Sequence, residues 1–124
     1  MLNRSGVTRT SYGAPRQILA NANLQSSVGC VVDQEVGIAV GVKKIAKAGT
    51  PIVVDFMNLA TPAKAASATN MTAVLLHDVD VTEGNANGTA LIFGFVNVNR
   101  VDADVAAKIA TVTTNNSQVT FIKA

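Results

Sequence analysis

Side-chain chemistry in this chain would have to come from one cysteine, one histidine and eight carboxylates. Cys30 and His77, with one of the aspartates, are the materials of a nucleophilic triad, in which an imidazole activates a thiol and a carboxylate orients the imidazole. Cys30 lies in the apolar run 28–32, however, where a free thiol packs as a small hydrophobe, and the chain is read as non-enzymatic. The run His77-Asp78-Val79-Asp80 offers a second chemistry. On a strand, Asp78 and Asp80 share a face with Cβ atoms roughly 7 Å apart, a spacing that would suit Ca²⁺ completed by oxygens of Glu83 or Asn85. The segment lacks the alternating ligands of an EF-hand loop, so both aspartates are expected to end a strand and accept hydrogen bonds from loop amides. A glycosidase-like carboxylate pair would need a sugar platform, which a chain with no Trp does not supply. No P-loop is present, nor a Gly-x-Gly-x-x-Gly after a strand, and neither a cofactor nor a metal is expected.

The elements that must position these residues are short. Residues 28–32, 37–43 and 52–56 read as Val-rich strands, with Gly49 supplying a turn and Pro51 confined to a strand start or edge. Residues 58–70, rich in Ala, Thr and Ser around Pro62, read as a loop. Residues 73–81 begin as a buried apolar run and end in strict alternation, and residues 89–98 form a second strand. Between them stands Asn87-Gly88, the strongest short hairpin signal, which would set Val81 opposite Gly94 and Val79 opposite Val96. Asp102 is a helix N-cap, and Val101, Val105 and Ile109 recur at the spacing of one helical face, predicting one short helix over about 102–110. Residues 118–123 alternate as a last strand. The sum is a mostly β domain of about seven strands and one helix, spanning residues 26–124.

Residues 1–25 show no sustained period and are expected to be an extended arm, with a short helical turn over 16–24 as one option. Of 10 basic side chains against 8 acidic ones, residues 1–32 hold Arg4, Arg9 and Arg16 and no acid, so the formal charge of +2 divides into a basic arm and a nearly neutral body. That charge lacks the dense Lys/Arg face and stacking aromatics of a nucleic-acid binder, and none is expected as a direct partner. The longest apolar runs fall far short of the ~18 residues of a spanning helix, and no apolar region follows the N-terminal arginines as in a secretory signal. One cysteine forms no internal disulfide. With 48% hydrophobic residues of which Ala and Val dominate, and only 4% aromatic ones, thin layers pack closely and a partner surface is expected to add to stability.

The run Val74-Leu75-Leu76-His77-Asp78-Val79-Asp80-Val81-Thr82, then Gly84-Asn85-Ala86-Asn87-Gly88-Thr89, then Phe93-Gly94-Phe95-Val96-Asn97 and Arg100, resembles tailed-bacteriophage capsid decoration (head-stabilising) proteins and the base domains of phage head-fibre proteins. Lys47-Ala48-Gly49-Thr50-Pro51 is similar to the segment that leads into the first core strands there, and the resemblance covers about residues 40–123. It implies a compact small β-barrel or β-tulip-like domain that assembles as a homotrimer on the outer capsid surface, is made in the bacterial host cytoplasm, and clamps the major capsid protein lattice. The arm is longer and more basic than in the lambda type, and no shaft of a full head fibre follows. On this reading Arg4, Arg9, Arg16, Ile18 and Leu19 dock on the capsid, while His77, Asp78, Asp80, Asn87 and Gly88 are architectural and set the hairpin. The alternative is a small β-barrel binding module or accessory subunit with a divalent-ion site in the 78–85 segment.

Overall fold

The computed structural model describes residues 18–20 and 25–123. Along them run β1 (Ser26–Val32), a 3₁₀ turn (Gln34–Val36), β2 (Ile38–Val40), β3 (Lys43–Ala46), β4 (Pro51–Val53), β5 (Lys64–Ala65), β6 (Ala73–Leu75), β7 (Val79–Asp80), β8 (Ala86–Asn97), a second 3₁₀ turn (Val98–Arg100), α1 (Ala103–Ala110) and β9 (Gln118–Ile122). The domain is mostly β, with one α-helix among the described residues and two sheets that do not close into a barrel.

Strand β8 organises the larger sheet, because residues along its length have partners on both edges. Ala90 pairs with Val28 of β1 and Leu75 of β6, and Leu91 pairs with Ser27 and Val74. Further on, Val96 pairs with Phe121 of β9 and bridges to Leu19. The sheet continues from β6 through β4 to β5, while β2, β3 and β7 form a second, three-stranded antiparallel sheet. Among the described strands only the β8–β9 pairing is parallel. Parallel neighbours need a long crossover, and residues 98–117 supply it, which is why the helix sits there.

Alternation on β6 divides the core in two. Ala73 and Leu75 face a cluster with Val32, Ile52, Ala90 and, from the smaller sheet and its flanks, Ala46, Val79 and Val81. Val74 faces the other cluster, with Met71, Leu91, Val96, Val119 and the packed side chains of Val101 and Val112. The larger sheet is therefore buried on both faces, which suits its near-continuous apolar runs. Leu91 and Val96 share a cluster although five positions separate them, a spacing unbroken alternation forbids. The register of β1 slips between Ser26 and Ser27, leaving Ile92 as an extra residue on β8, and the slip re-aims the strand.

Several expectations are corrected. Asn87 and Gly88 are not a turn: they lie inside β8, opposite Val31 and Cys30. The chain turns earlier, at residues 82–85 with Gly84 at φ 138°, and β7 pairs with β3, so Val79 faces Ala46 and not Val96. Residues 37–43 break at Gly41, φ 64°, into a hairpin of β2 and β3. The 58–70 loop contains the two-residue strand β5. The helix stands at 103–110 with Asp102 at its N-cap and Val105 and Ile109 buried, as their spacing predicts.

The largest difference concerns residues 18–20. They belong to the domain rather than to a free arm: Asn97 N–H donates to Ile18 O at 2.9 Å, Ala20 N–H donates to Phe95 O at 2.8 Å, and the Arg100 guanidinium donates to Leu19 O at 3.1 Å. Ile18 and Leu19 are buried in the second cluster, so the capsid docking expected of their side chains is incompatible with their place in the core. Ile18→Ala is accordingly expected to cost about 2–5 kcal/mol of stability, the range for emptying a buried Ile site, as read from urea unfolding.

Candidate functional site

The 77–85 segment is held by hydrogen bonds to its own fold. Asp78 Oδ1 accepts the Ala48 N–H at 2.7 Å and fixes the approach to the Gly49 turn. Gly49, at φ +93°, lets that turn press on the helix entry: a Cβ there would stand 2.5 Å from Val101 Cγ1. Asp80 Oδ1 accepts the Thr82 N–H at 2.9 Å, while Lys43 Nζ lies 4.0 Å from the other carboxylate oxygen. Hydrogen bonds from Thr82 hold the Asp80 carboxyl below the usual aspartate range. Thr82 Oγ1 in turn accepts the Lys44 N–H at 2.8 Å, closing β7 onto β3. Asn85 Oδ1 accepts the Gln34 N–H at 2.8 Å, and Glu83 is exposed. One oxygen from each of Asp78, Asp80 and Asn85 thus serves a backbone amide. Among the described residues no group of three or more His, Cys, Asp or Glu side chains is placed to hold a metal ion. His77 Nδ1 is buried and has no hydrogen-bond partner.

Gly88 is architectural for a reason other than a turn. A Cβ on it would stand 2.7 Å from Val32 Cγ2 and 2.9 Å from Val79 Cγ2, so its bare backbone is what allows β1 and β7 to close over β8. Cys30, opposite it, is buried, and burial pushes its thiol pKa up, away from the reactive thiolate. The adjoining groove of about 390 Å³ is lined by Gly29, Val31, Leu59, Asn87 and Gly88 besides Cys30, none of which is a base. His77 is not brought to Cys30 in this groove.

Two lysines tie loops to the frame through ion pairs. Lys47 Nζ lies 3.0 Å from Asp102 and 3.4 Å from Asp104, joining the β3–β4 connection to the start of α1; the Asp102 carboxylate makes this pair instead of capping the helix. Lys64 Nζ lies 2.8 Å from Asp33 Oδ2, while Asp33 Oδ1 accepts the Glu35 N–H of the first 3₁₀ turn. The Lys64 hydrogen bond, with that amide, holds Asp33 below the usual aspartate range.

The surface feature that sequence reasoning missed is the loop after β4. Asp55 Oδ1 accepts the Met57 N–H at 3.0 Å and Asn58 Oδ1 accepts the Ala60 N–H at 3.2 Å, and main-chain bonds Asn58 N to Asp55 O and Thr61 N to Asn58 O close the same turns. This frame holds Phe56, Met57 and Leu59 toward solvent, 46%, 95% and 38% exposed. Phe56 lines a groove of about 280 Å³ with Phe93, Ile92, Ser26 and Gln118, and no ionisable side chain is among the residues lining it. The groove forms where Phe93 pairs with both Ser26 and Gln118, at the junction of β1 and β9. Its sequence signal was the Asx-turn spacing of Asp55 and Asn58 around three large apolar residues. Arg4, Arg9 and Arg16 lie outside the described residues, and no described helix is long and apolar enough to cross a membrane.

Comparison with known proteins finds no family model and no characterised protein that matches this chain.

Two outcomes follow from this geometry. Gly88→Ala is expected to destabilise the domain by about 1–3 kcal/mol through overpacking, whereas Gly29→Ala, with nothing within 4 Å of the added Cβ, is expected to be neutral or mildly stabilising in the same urea titration. Asp33 and Asp80 ionise more readily folded than unfolded, so their contribution is present above the ordinary aspartate value of 3.8 and is lost as pH falls through their lowered folded values. The double variant Asp33→Asn, Asp80→Asn is therefore expected to show a smaller drop in Tm than wild type between about pH 6 and about pH 3.

Proposed function

We propose that this chain is a structural virion protein that binds the outer surface of a tailed-phage capsid as a homotrimer and stabilises the lattice of the major capsid protein. The observation that carries the reading is the root of the arm. Residues 18–20 are stitched to β8 by main-chain bonds and two buried side chains, so residues 1–17, with Arg4, Arg9, Arg16 and no acid, continue from a fixed point of the domain. An arm with an immobile root transmits its binding to the whole domain, and a folded body that holds two loops by ion pairs suits a clamp between subunits. The basic charge suits acidic patches on a shell protein, which steer and orient docking more than they add affinity. The sequence resemblance across residues 74–100 supports the same reading, since those residues form β6, β7 and β8, the frame that carries the root. The proposed work is mechanical, with no catalytic step and no direct contact with nucleic acid or membrane.

The test is co-sedimentation with purified capsids of the encoding phage. Deletion of residues 2–14 keeps residues 18–20 in place and is expected to lower capsid affinity at least roughly tenfold at low salt while leaving the thermal melt unchanged. Undiminished binding by the deletion variant would remove the arm from the interface. Sedimentation of the free protein is expected to give three times the chain mass of 12.8 kDa.

A further inference from the structure

We infer that Asn87-Gly88 is a spontaneous modification site that the fold keeps closed: it stays intact while β1 lies along β8 and deamidates to aspartate and isoaspartate once β1 lifts away. The chemistry is the same whatever surface the domain binds. Asn87 is the only asparagine of the chain that is followed by glycine. Deamidation begins when the main-chain nitrogen of the next residue attacks the asparagine Cγ. The new C–N bond closes a five-membered imide, and the side-chain NH2 leaves with the amide proton as ammonia. Water then opens either imide carbonyl, giving aspartate, or isoaspartate in which the chain runs through the side-chain carboxyl. Glycine is the most favourable residue to follow, because no Cβ hinders its nitrogen.

Geometry, not exclusion of water, protects the site. Asn87 is exposed, and both residues line the groove of about 390 Å³ beside Cys30, so water and hydroxide reach them. Both also lie inside β8. A strand ψ near +135° points the following nitrogen away from the side chain, and closing the ring needs roughly a quarter turn about the Asn87 Cα–C bond. That turn would swing the Gly88 peptide out of the ladder in which Asn87 faces Val31 and Gly88 faces Cys30. The face of Gly88 is filled as well: a Cβ there would meet Val32 Cγ2 at 2.7 Å and Val79 Cγ2 at 2.9 Å, so the backbone has no space to rotate. Val32 belongs to β1, and departure of that strand removes both the ladder and one of the two methyl groups.

The product decides whether the opening can be reversed. Aspartate keeps the main chain and adds one charge to an exposed side chain. Isoaspartate adds a methylene to the main chain of β8. The alternation beyond it cannot absorb an extra atom, since Ala90 and Leu91 must face opposite clusters. A chain that ages while open is therefore expected to lose the pairing with β1 permanently.

The test is peptide mass spectrometry of protein incubated at about pH 8, folded or in unfolding guanidinium chloride, scoring residue 87 for exchange of NH2 by OH and for isoaspartate. The folded rate is expected to be at least roughly tenfold below the unfolded one, since only the open fraction reacts. Denaturant below the transition is expected to raise the wild-type rate, and Val32→Ala, which removes one of the covering methyl groups, is expected to raise it without denaturant. The denaturant series decides the point by itself if Val32→Ala does not fold. Wild type aged in denaturant is expected to refold in a yield that falls as isoaspartate accumulates, while Asn87→Gln aged in the same way keeps its yield and Asn87→Asp melts close to wild type. Equal rates at Asn87 in folded and unfolded protein would overturn the inference. So would an Asn87 that stays intact in the unfolded chain, or a refolding yield that does not follow isoaspartate content.

Discussion

Everything in this domain depends on the two-sided backbone pairing of the twelve-residue strand β8. A strand in the middle of a sheet has its N–H and C=O groups satisfied on both edges, and leaving such groups buried without partners would cost about as much as the hydrogen bonds themselves. Near its start β8 lies between β1 and β6, and near its end between β9 and residues 18–20. Those last residues are therefore a structural requirement: without them Phe95 O and Asn97 N–H would lose their partners and Val96 would lose the cover of Ile18 and Leu19. The helix follows from the same constraint, since β9 reaches its parallel place beside β8 only through a crossover.

The small side chains of the sequence acquire a specific meaning in this arrangement. Ala73 and Ala90 are buried where sheet meets sheet, and Gly88 and Gly49 stand where a single added carbon would overlap a valine methyl group. Thin layers packed this closely bury apolar area without aromatic rings. The aromatic side chains Phe56 and Phe93 are left at the surface, where a large ring contributes most to contact with a partner. The hydrophobic residues thus fall into two sets, small ones fitted closely inside and large rings left at the surface.

Strand positions and the helix were legible wherever a period was sustained. The alternation of 118–123, the four-residue spacing of Val105 and Ile109, the apolar run at 28–32 and the first part of the run at 73–81 reappear as β9, α1, β1 and β6. The pairing was not legible. Asn87-Gly88 has the local chemistry of a turn, yet β1 pairs along that stretch of β8, and long-range pairing with buried contacts outweighs a local preference. The extra residue at Ile92 hid the register further, because period-two reasoning assigns Leu91 and Val96 to opposite faces. At the candidate site, the hydrogen bonds of Asp78 and Asp80 to main-chain amides were readable, but the single strand expected over 73–81 breaks at 76–78, so that only Asp80 ends a strand and Asp78 precedes β7. The 55–59 loop was not, because a loop gives no periodic signal, and Ile18 and Leu19 looked free only because nothing local shows a strand-like bridge to residue 96.

On the proposed function, a domain built around β8 carries a rooted basic arm to the outside of a capsid. The measurement that tests it most directly is a cryo-electron-microscopy map of the encoding phage's capsid with and without this protein. The account predicts added exterior density at three-fold positions, with residues 18–20 along β8 at its base and residues 1–17 against the major capsid protein. Density on the inner surface, or none at all under conditions that saturate the capsid, would contradict it.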